Sequence, residues 1–225
     1  MNSQQHNEDS NQQSEVIDGS VPNTSGPADA KKGGRAYKEI VDWIKALAIA
    51  VILVFIIRTF LFSPFIVEGP SMEPNFYTGE RLIVNKLIFK MREPHHGEVV
   101  VFHVPEQGRD FIKRVIGVPG DTIKVVGDDV FINDQKVDEP YIKEAIEAAH
   151  ANGELYNTGP DFPNANVSES VVPEDKIFAM GDHRGNSQDS RDIGFVSEKE
   201  IIGRADAMFW PLNKISIIKH YKVHW

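Results

Sequence analysis

The sequence predicts a mainly β domain carried on one N-terminal membrane-spanning helix. Three observations point there. A single long apolar run occupies residues 43–62, the segments after it are short and β-branched between Gly, Pro or charged turns, and the 225 residues contain no cysteine to staple a small fold.

The apolar run comes first. About 20 residues at helical rise match a bilayer core of roughly 30 Å. Its two charges, Lys45 and Arg58, lie near the ends, where long basic side chains reach the headgroups. A removable leader fits poorly, because a long polar stretch precedes the run and Ser63-Pro64-Phe65 is a poor small-residue cleavage site. Residues 37–62 are therefore assigned as a retained anchor. Lys31, Lys32, Arg35 and Lys38 precede it, whereas no Lys or Arg occurs between Arg58 and Arg81, which predicts a cytoplasmic N-terminus and the bulk of the chain outside the cell membrane. Residues 1–36 are rich in Gln, Asn, Ser, Gly and Asp, so they bury too little apolar surface to offset ordering and are expected to be a disordered cytoplasmic tail.

Residues 63–225 are long enough for one extracytoplasmic domain with its own core. They carry most of the formal net charge of −9, which argues against a nucleic-acid partner, since phosphate calls for a basic face. The missing cysteines exclude thiol nucleophiles, disulfides and cysteine-held zinc. No later run is long enough to span, and 215–225 is too polar and too short. In order, strands are expected at 81–89, 98–104 and 110–118, all rich in β-branched residues. A hairpin follows, 121–126 and 130–133, around Gly127-Asp128-Asp129. One short helix is expected at 141–150, an irregular excursion rich in Asn, Gly, Pro and Asp at 152–173, and strands again at 176–180 and near the end.

Two residues stand out chemically. In a strand through Phe111-Ile112-Lys113-Arg114-Val115, alternation puts Lys113 on one face between Phe111 and Val115. Burial among apolar neighbours disfavours an ammonium and lowers the lysine pKa, leaving an amine able to take a proton. A serine hydroxyl needs such a base to become a nucleophile. Ser71 stands in Gly69-Pro70-Ser71-Met72-Glu73-Pro74, a turn just beyond the apolar run. Taken singly, each residue has an ordinary explanation: edge-strand lysines snorkel to solvent, and turn serines bond their own backbone.

The order of linked motifs decides between these readings. After the span come Ser71-Met72-Glu73-Pro74, Gly97-Glu98-Val99-Val100-Val101-Phe102, Lys113-Arg114-Val115-Ile116-Gly117-Val118-Pro119-Gly120-Asp121, and Gly181-Asp182-His183-Arg184-Gly185-Asn186-Ser187-Gln188-Asp189-Ser190-Arg191-Asp192-Ile193-Gly194. The chain resembles the type I signal peptidases, Ser-Lys membrane proteases that remove signal peptides from exported proteins, in their single-span, Gram-positive form. The resemblance implies a signal-peptidase-like complex β-fold, Ser71 as nucleophile and Lys113 as general base. It also implies Ser187 orienting the lysine, pairs of Asp182 with Arg114 and Asp189 with Arg191 stiffening the wall, and an oxyanion hole using the Ser71 backbone N–H. Substrate pockets for small side chains are expected from Phe65, Val67, Met72 and Ile112, with signal peptides of exported precursors and the bilayer as partners.

Three positions depart from the pattern: Gly69, where some members carry a hydroxyl, Asn75 in place of the usual Thr, and His183 in place of the usual Asn. Neither Asn75 nor His183 is expected to touch the dyad. No cofactor and no metal are expected. Adjacent His95 and His96 would point to opposite faces of a strand, and the 182–187 stretch lacks the ligand alternation of a calcium loop. A self-cleaving repressor-type protease shares the dyad logic, but would carry a DNA-binding domain rather than a membrane span.

Overall fold

A computed structural model describes residues 32–221, with side chains from residue 37; residues 1–31 of the tail expected at 1–36 and the terminal residues 222–225 lie outside the described residues. The chain divides into two compact units, Met1–Ile49 and Ala50–Trp225. In the described part of the first unit, helix α1 (Lys32–Ile56) begins inside the stretch expected to be tail and continues into the second. The segment Tyr37–Leu61 has a mean hydropathy of 2.6 and none of it is buried, and it is the one helix among the described residues apolar enough to cross a membrane. Trp43 is 78% exposed, and Leu47 and Phe55 are likewise bare. An apolar surface of this extent is expensive in water and inexpensive in lipid.

The second unit holds an eight-stranded antiparallel sheet and a small three-stranded one. Strand β1 (Phe62–Ile66) pairs with β2 (Arg81–Asn85), and the large sheet runs β1-β2-β10-β3-β4-β8-β9, with β11 added on β10. Its members are β3 (Val99–Val104), β4 (Arg109–Gly117), β8 (Lys176–Met180), β9 (Val196–Ser197), β10 (Ile201–Trp210) and β11 (Ser216–Ile217). The small sheet is β5 (Ile123–Val126), β6 (Asp129–Ile132) and β7 (Gln135–Lys136), and helices α2 (Ile88–Met91), α3 (Lys143–Ala151) and α4 (Ser190–Ile193) fill the connections.

Strand β3 and most of β4 are buried on both faces, which is why β3 is nearly a continuous apolar run and why β4 sends apolar side chains to both sides around its buried Lys113 and Arg114. Val99, Val101 and Ile112 enter one core with Leu82, Val84 and Met208, whereas Val100, Phe102, Phe111 and Val115 enter another with Ile177 and Ala179. A third core, Ile123, Val125, Ile132, Phe162 and Phe178, seals the small sheet.

The differences from expectation have local causes. The strand expected through residue 89 stops at Asn85, whose Oδ1 accepts from the Leu87 N–H at 3.0 Å and bends the chain into α2. The apolar stretch after the helix, which sequence alone leaves as helix end or core, becomes edge strand β1. Pro64 is tolerated there because the edge needs no N–H on its open side. Strand β7, unforeseen, follows a turn in which Asn133 and Asp134 both take positive φ, the backbone that a two-residue hairpin requires.

Candidate active site

Ser71 lies on a single helical turn just past β1. Gly69, at φ +81°, reverses the chain, and the turn closes through Glu73 N–H to Pro70 O at 3.0 Å and Phe76 N–H to Met72 O at 2.9 Å. Met72 and Phe76 point down into the first core beside Val67, so the serine stands on a turn anchored from beneath. Its hydroxyl meets Lys113, from the middle of β4, at 2.7 Å.

Lys113 is 3% exposed. Burial pushes its pKa down to about 8, against the charges of Asp189 and Asp182, which raise it; Arg109 and Arg191 lower it further. The Phe111 ring, 4.9 Å from Nζ, supplies part of the dry wall. As an ammonium the group donates to Ser71 Oγ; as an amine the same contact can receive the hydroxyl proton.

The wall behind the lysine is the 181–194 loop. Asp182 takes a two-pronged bond from Arg114, 2.8 Å from Nε and 2.6 Å from Nη2, and the guanidinium packs on the Tyr141 ring at 3.9 Å. Asp189 binds Arg191 at 2.8 Å through both Nε and Nη2, accepts from the Gly181 N–H at 3.0 Å and caps α4. Arg191 in turn holds Asn157 Oδ1 at 2.7 Å and Arg184 O at 2.9 Å. These bonds keep Asp189 ionised below the usual carboxylate range despite burial, so both negative charges near Lys113 are neutralised in place. Gly181 allows the loop to close: a Cβ there would stand 2.2 Å from Ser187 Oγ and 2.4 Å from Ser71 O.

Ser187 is brought to the site without touching the lysine. Its buried Oγ makes no hydrogen bond of ordinary geometry, yet it lies beside Asp189 closely enough to help hold that carboxylate ionised. Of the residues expected to form pockets, Phe65 and Ile112 line a cleft of about 430 Å³ beside the dyad, together with Pro64, Ile66, Glu68, Gly69, Arg109 and Gln188. Val67 and Met72 do not line it, because their side chains serve the core beneath.

Sequence reasoning passed over several supports. Arg184 binds Glu139 at 2.8 and 2.5 Å, and Ser190 Oγ accepts from the Ala179 N–H at 3.0 Å. Asn75 Nδ2 donates to Asp182 Oδ2 at 2.8 Å and to Tyr141 O at 3.0 Å. His183 does touch the nucleophile turn: its backbone N–H donates to Ser71 O at 3.1 Å. For Asn75 and His183 the sequence offered only their departure from the family pattern, which says nothing of contact. His96 lies 2.6 Å from Asp121 and His103 lies 2.7 Å from Asp110, and no group of three or more His, Asp or Glu among the described residues is arranged to hold a metal.

The cleft has open strand edges on both sides. Strand β1 pairs only with β2, and residues 109–113 of β4 pair only with β3, since β8 joins from Arg114 onward. Through the antiparallel order of the sheet, β1 and β4 run in the same sense, each toward the dyad.

Known proteins are similar to this chain over most of its length. Residues 40–210 match the family model described as signal peptidase, peptidase S26. The chain is 44% identical over 185 residues to signal peptidase I P of Bacillus subtilis subsp. natto, covering 82% of this chain and 96% of that protein. It is 39% identical over 181 residues to signal peptidase IB of Staphylococcus aureus strain COL, covering 79% and 93%. A solved signal peptidase I from Enterococcus faecalis V583 aligns with a TM-score of 0.45 and 31% identity over 50% of this chain and 97% of that one. With most of its length matched at this identity, the chain belongs to the signal peptidase family, peptidase S26, and is a serine-type endopeptidase.

Proposed function

We infer that this chain is a membrane-anchored enzyme that cuts signal peptides from exported precursors, with Ser71 as nucleophile and Lys113 as general base. The observation that carries this reading is the 2.7 Å contact between a serine hydroxyl and a buried lysine whose pKa is lowered to about 8, beside a cleft with two unpaired strand edges.

An extended peptide lying between β1 and β4 satisfies backbone groups on both sides, the usual economy of strand addition. Running in the same sense as both strands, it brings the residues before the cut into the cleft and the scissile carbonyl to Ser71. Phe65 and Ile112 then limit the side chains nearest the cut to small ones. Ser71 Oγ attacks the carbonyl carbon as its proton passes to Lys113 Nζ. The oxyanion is received by the Ser71 backbone N–H, and Gly69 adds no side-chain donor. The ammonium returns the proton to the leaving amine, releasing the mature chain and leaving an acyl ester on Ser71. Water then enters, gives its proton to Nζ, and frees the serine. Asp182 with Arg114, Asp189 with Arg191, and Ser187 position the base rather than exchange protons with it.

Helix α1 supplies the anchor, with the N-terminus cytoplasmic and the catalytic unit outside. A tethered site meets precursors that are themselves held by a signal helix, so the encounter is local and the effective concentration high.

The test is cleavage of a secretory precursor by the full chain in detergent, comparing wild type with Ser71→Ala and Lys113→Ala. The expected result is loss of at least about 10³-fold in each variant, no greater in the double variant, as for groups acting as one unit. Cleavage by either single variant at the wild-type rate contradicts the dyad.

A further inference from the structure

Among the described residues, His183 is the one that ties the nucleophile turn to the support loop from both its backbone and its ring. The backbone N–H donates to Ser71 O at 3.1 Å and ring Nδ1 lies 3.2 Å from Pro70 O, so successive carbonyls of the turn are gripped by one residue. The ring can hold a carbonyl only as a donor, hence with its proton on Nδ1. It stacks on Tyr156, with centroids 6.2 Å apart and planes 12° from parallel. The Tyr156 hydroxyl donates to Asp182 O at 3.0 Å, with Glu73 O at 3.4 Å. Burial holds that phenol up at about 12, so it remains a donor at every working pH.

These contacts close a circuit around the dyad. Lys113 and Arg114 are neighbours on β4, and Asp182 and His183 are neighbours on the loop. Arg114 fixes β4 to the loop through Asp182, and His183 fixes the loop to the Ser71 turn. The fourth side of the circuit is the 2.7 Å contact of Lys113 with Ser71. We propose that His183 is a positioning residue that sets the Ser71–Lys113 separation by holding Pro70 O from its ring while stacked on Tyr156. The role rests on the dyad reading given above. It also explains how a residue departing from the usual Asn is accommodated: Asn carries its amide nitrogen on Cγ, as His carries Nδ1, so either can donate to Pro70 O, but only His adds the stack.

The experiment uses the full-length chain in detergent with a precursor-derived peptide spanning the cut, and reads kcat, KM, the pH–rate profile and the thermal midpoint. Variants are His183→Ala, His183→Phe, which keeps a ring without a donor, and His183→Asn, which keeps a donor without a ring. Displacing a nucleophile by a fraction of an ångström to an ångström lowers the chemical step roughly 10- to 100-fold. His183→Ala and His183→Phe are expected to lose that much in kcat with KM little changed, and His183→Asn to recover most of it. In His183→Ala the acid limb of the profile moves to higher pH, because a looser turn admits water to Lys113. Wild-type kcat in His183→Ala, failure of His183→Asn to rescue, or a fall in kcat accompanied by collapse of the thermal midpoint each overturns the proposal. Ser71→Ala is run alongside: an active Ser71→Ala overturns the dyad reading itself, whereas an inactive one with a fully active His183→Ala overturns only the positioning role.

Discussion

Lys113 shows what a single residue's surroundings do to its chemistry. Alternation along β4 made its apolar flanks, Phe111 and Val115, legible in sequence. Its partner Ser71, on a turn 42 positions away, was indicated only by the resemblance carried by the ordered motifs, and the contacts of Asn75 and His183 were not indicated at all, since they exist only once the loop has folded over the turn. The buried position also affects stability. The folded pKa, about 8, lies below the ordinary 10.5, so between these values the unfolded chain binds more protons and folding stability rises with pH. Below pH 8 the wild type carries the full penalty of a buried ammonium. Lys113→Met is therefore expected to raise the thermal midpoint at neutral pH, with the advantage shrinking as pH climbs from 8 toward 10.5. Calorimetry of both proteins across that range checks the sign.

At the scale of elements, β4 and β8, which carry the lysine and lead into the support loop, were foreseen because each packs apolar side chains, whereas β1 (the other wall of the cleft), α2 and β7 were missed. Their causes are an edge position, the Asn85 side chain and two positive-φ residues, all weaker signals than a hydrophobic run. The junction of β8 with the support loop depends on Gly181, where any Cβ meets Ser187 Oγ and Ser71 O. Gly181→Ala is expected to lower kcat more than tenfold by pushing the loop off the serine, measured on the same peptide substrate. The Arg114–Asp182 pair is fully buried, so removing one partner leaves an uncompensated charge. Asp182→Ala is expected to lose about 3–5 kcal/mol of unfolding free energy in urea, and Ser71→Ala far less.

For the whole molecule, composition in the sequence predicts an anchor and an outer domain but says nothing of the outer face of the sheet. Register brings Pro64, Ile83, Ala207 and Ile217 into one row across β1, β2, β10 and β11, and Ile66, Arg81 and Trp210 into the next. Ile66 and Trp210 are about half exposed and Ile217 is 82% exposed, an apolar patch of the kind that suits a lipid interface. Replacing Trp210 and Ile217, which do not line the cleft, together by Ser is expected to slow cleavage of a vesicle-inserted precursor several-fold while leaving a short soluble peptide cut at the wild-type rate. Equal slowing of both substrates contradicts the interfacial role.

The account turns on a lysine that is neutral when it takes the serine proton, and the pH–rate profile of the full-length chain tests this most directly. With a precursor-derived peptide, kcat/KM should rise tenfold per pH unit below an apparent pKa of about 8 and level off above it. A profile flat from mildly acidic to alkaline pH, or one still rising toward the ordinary lysine value, contradicts Lys113 as the general base.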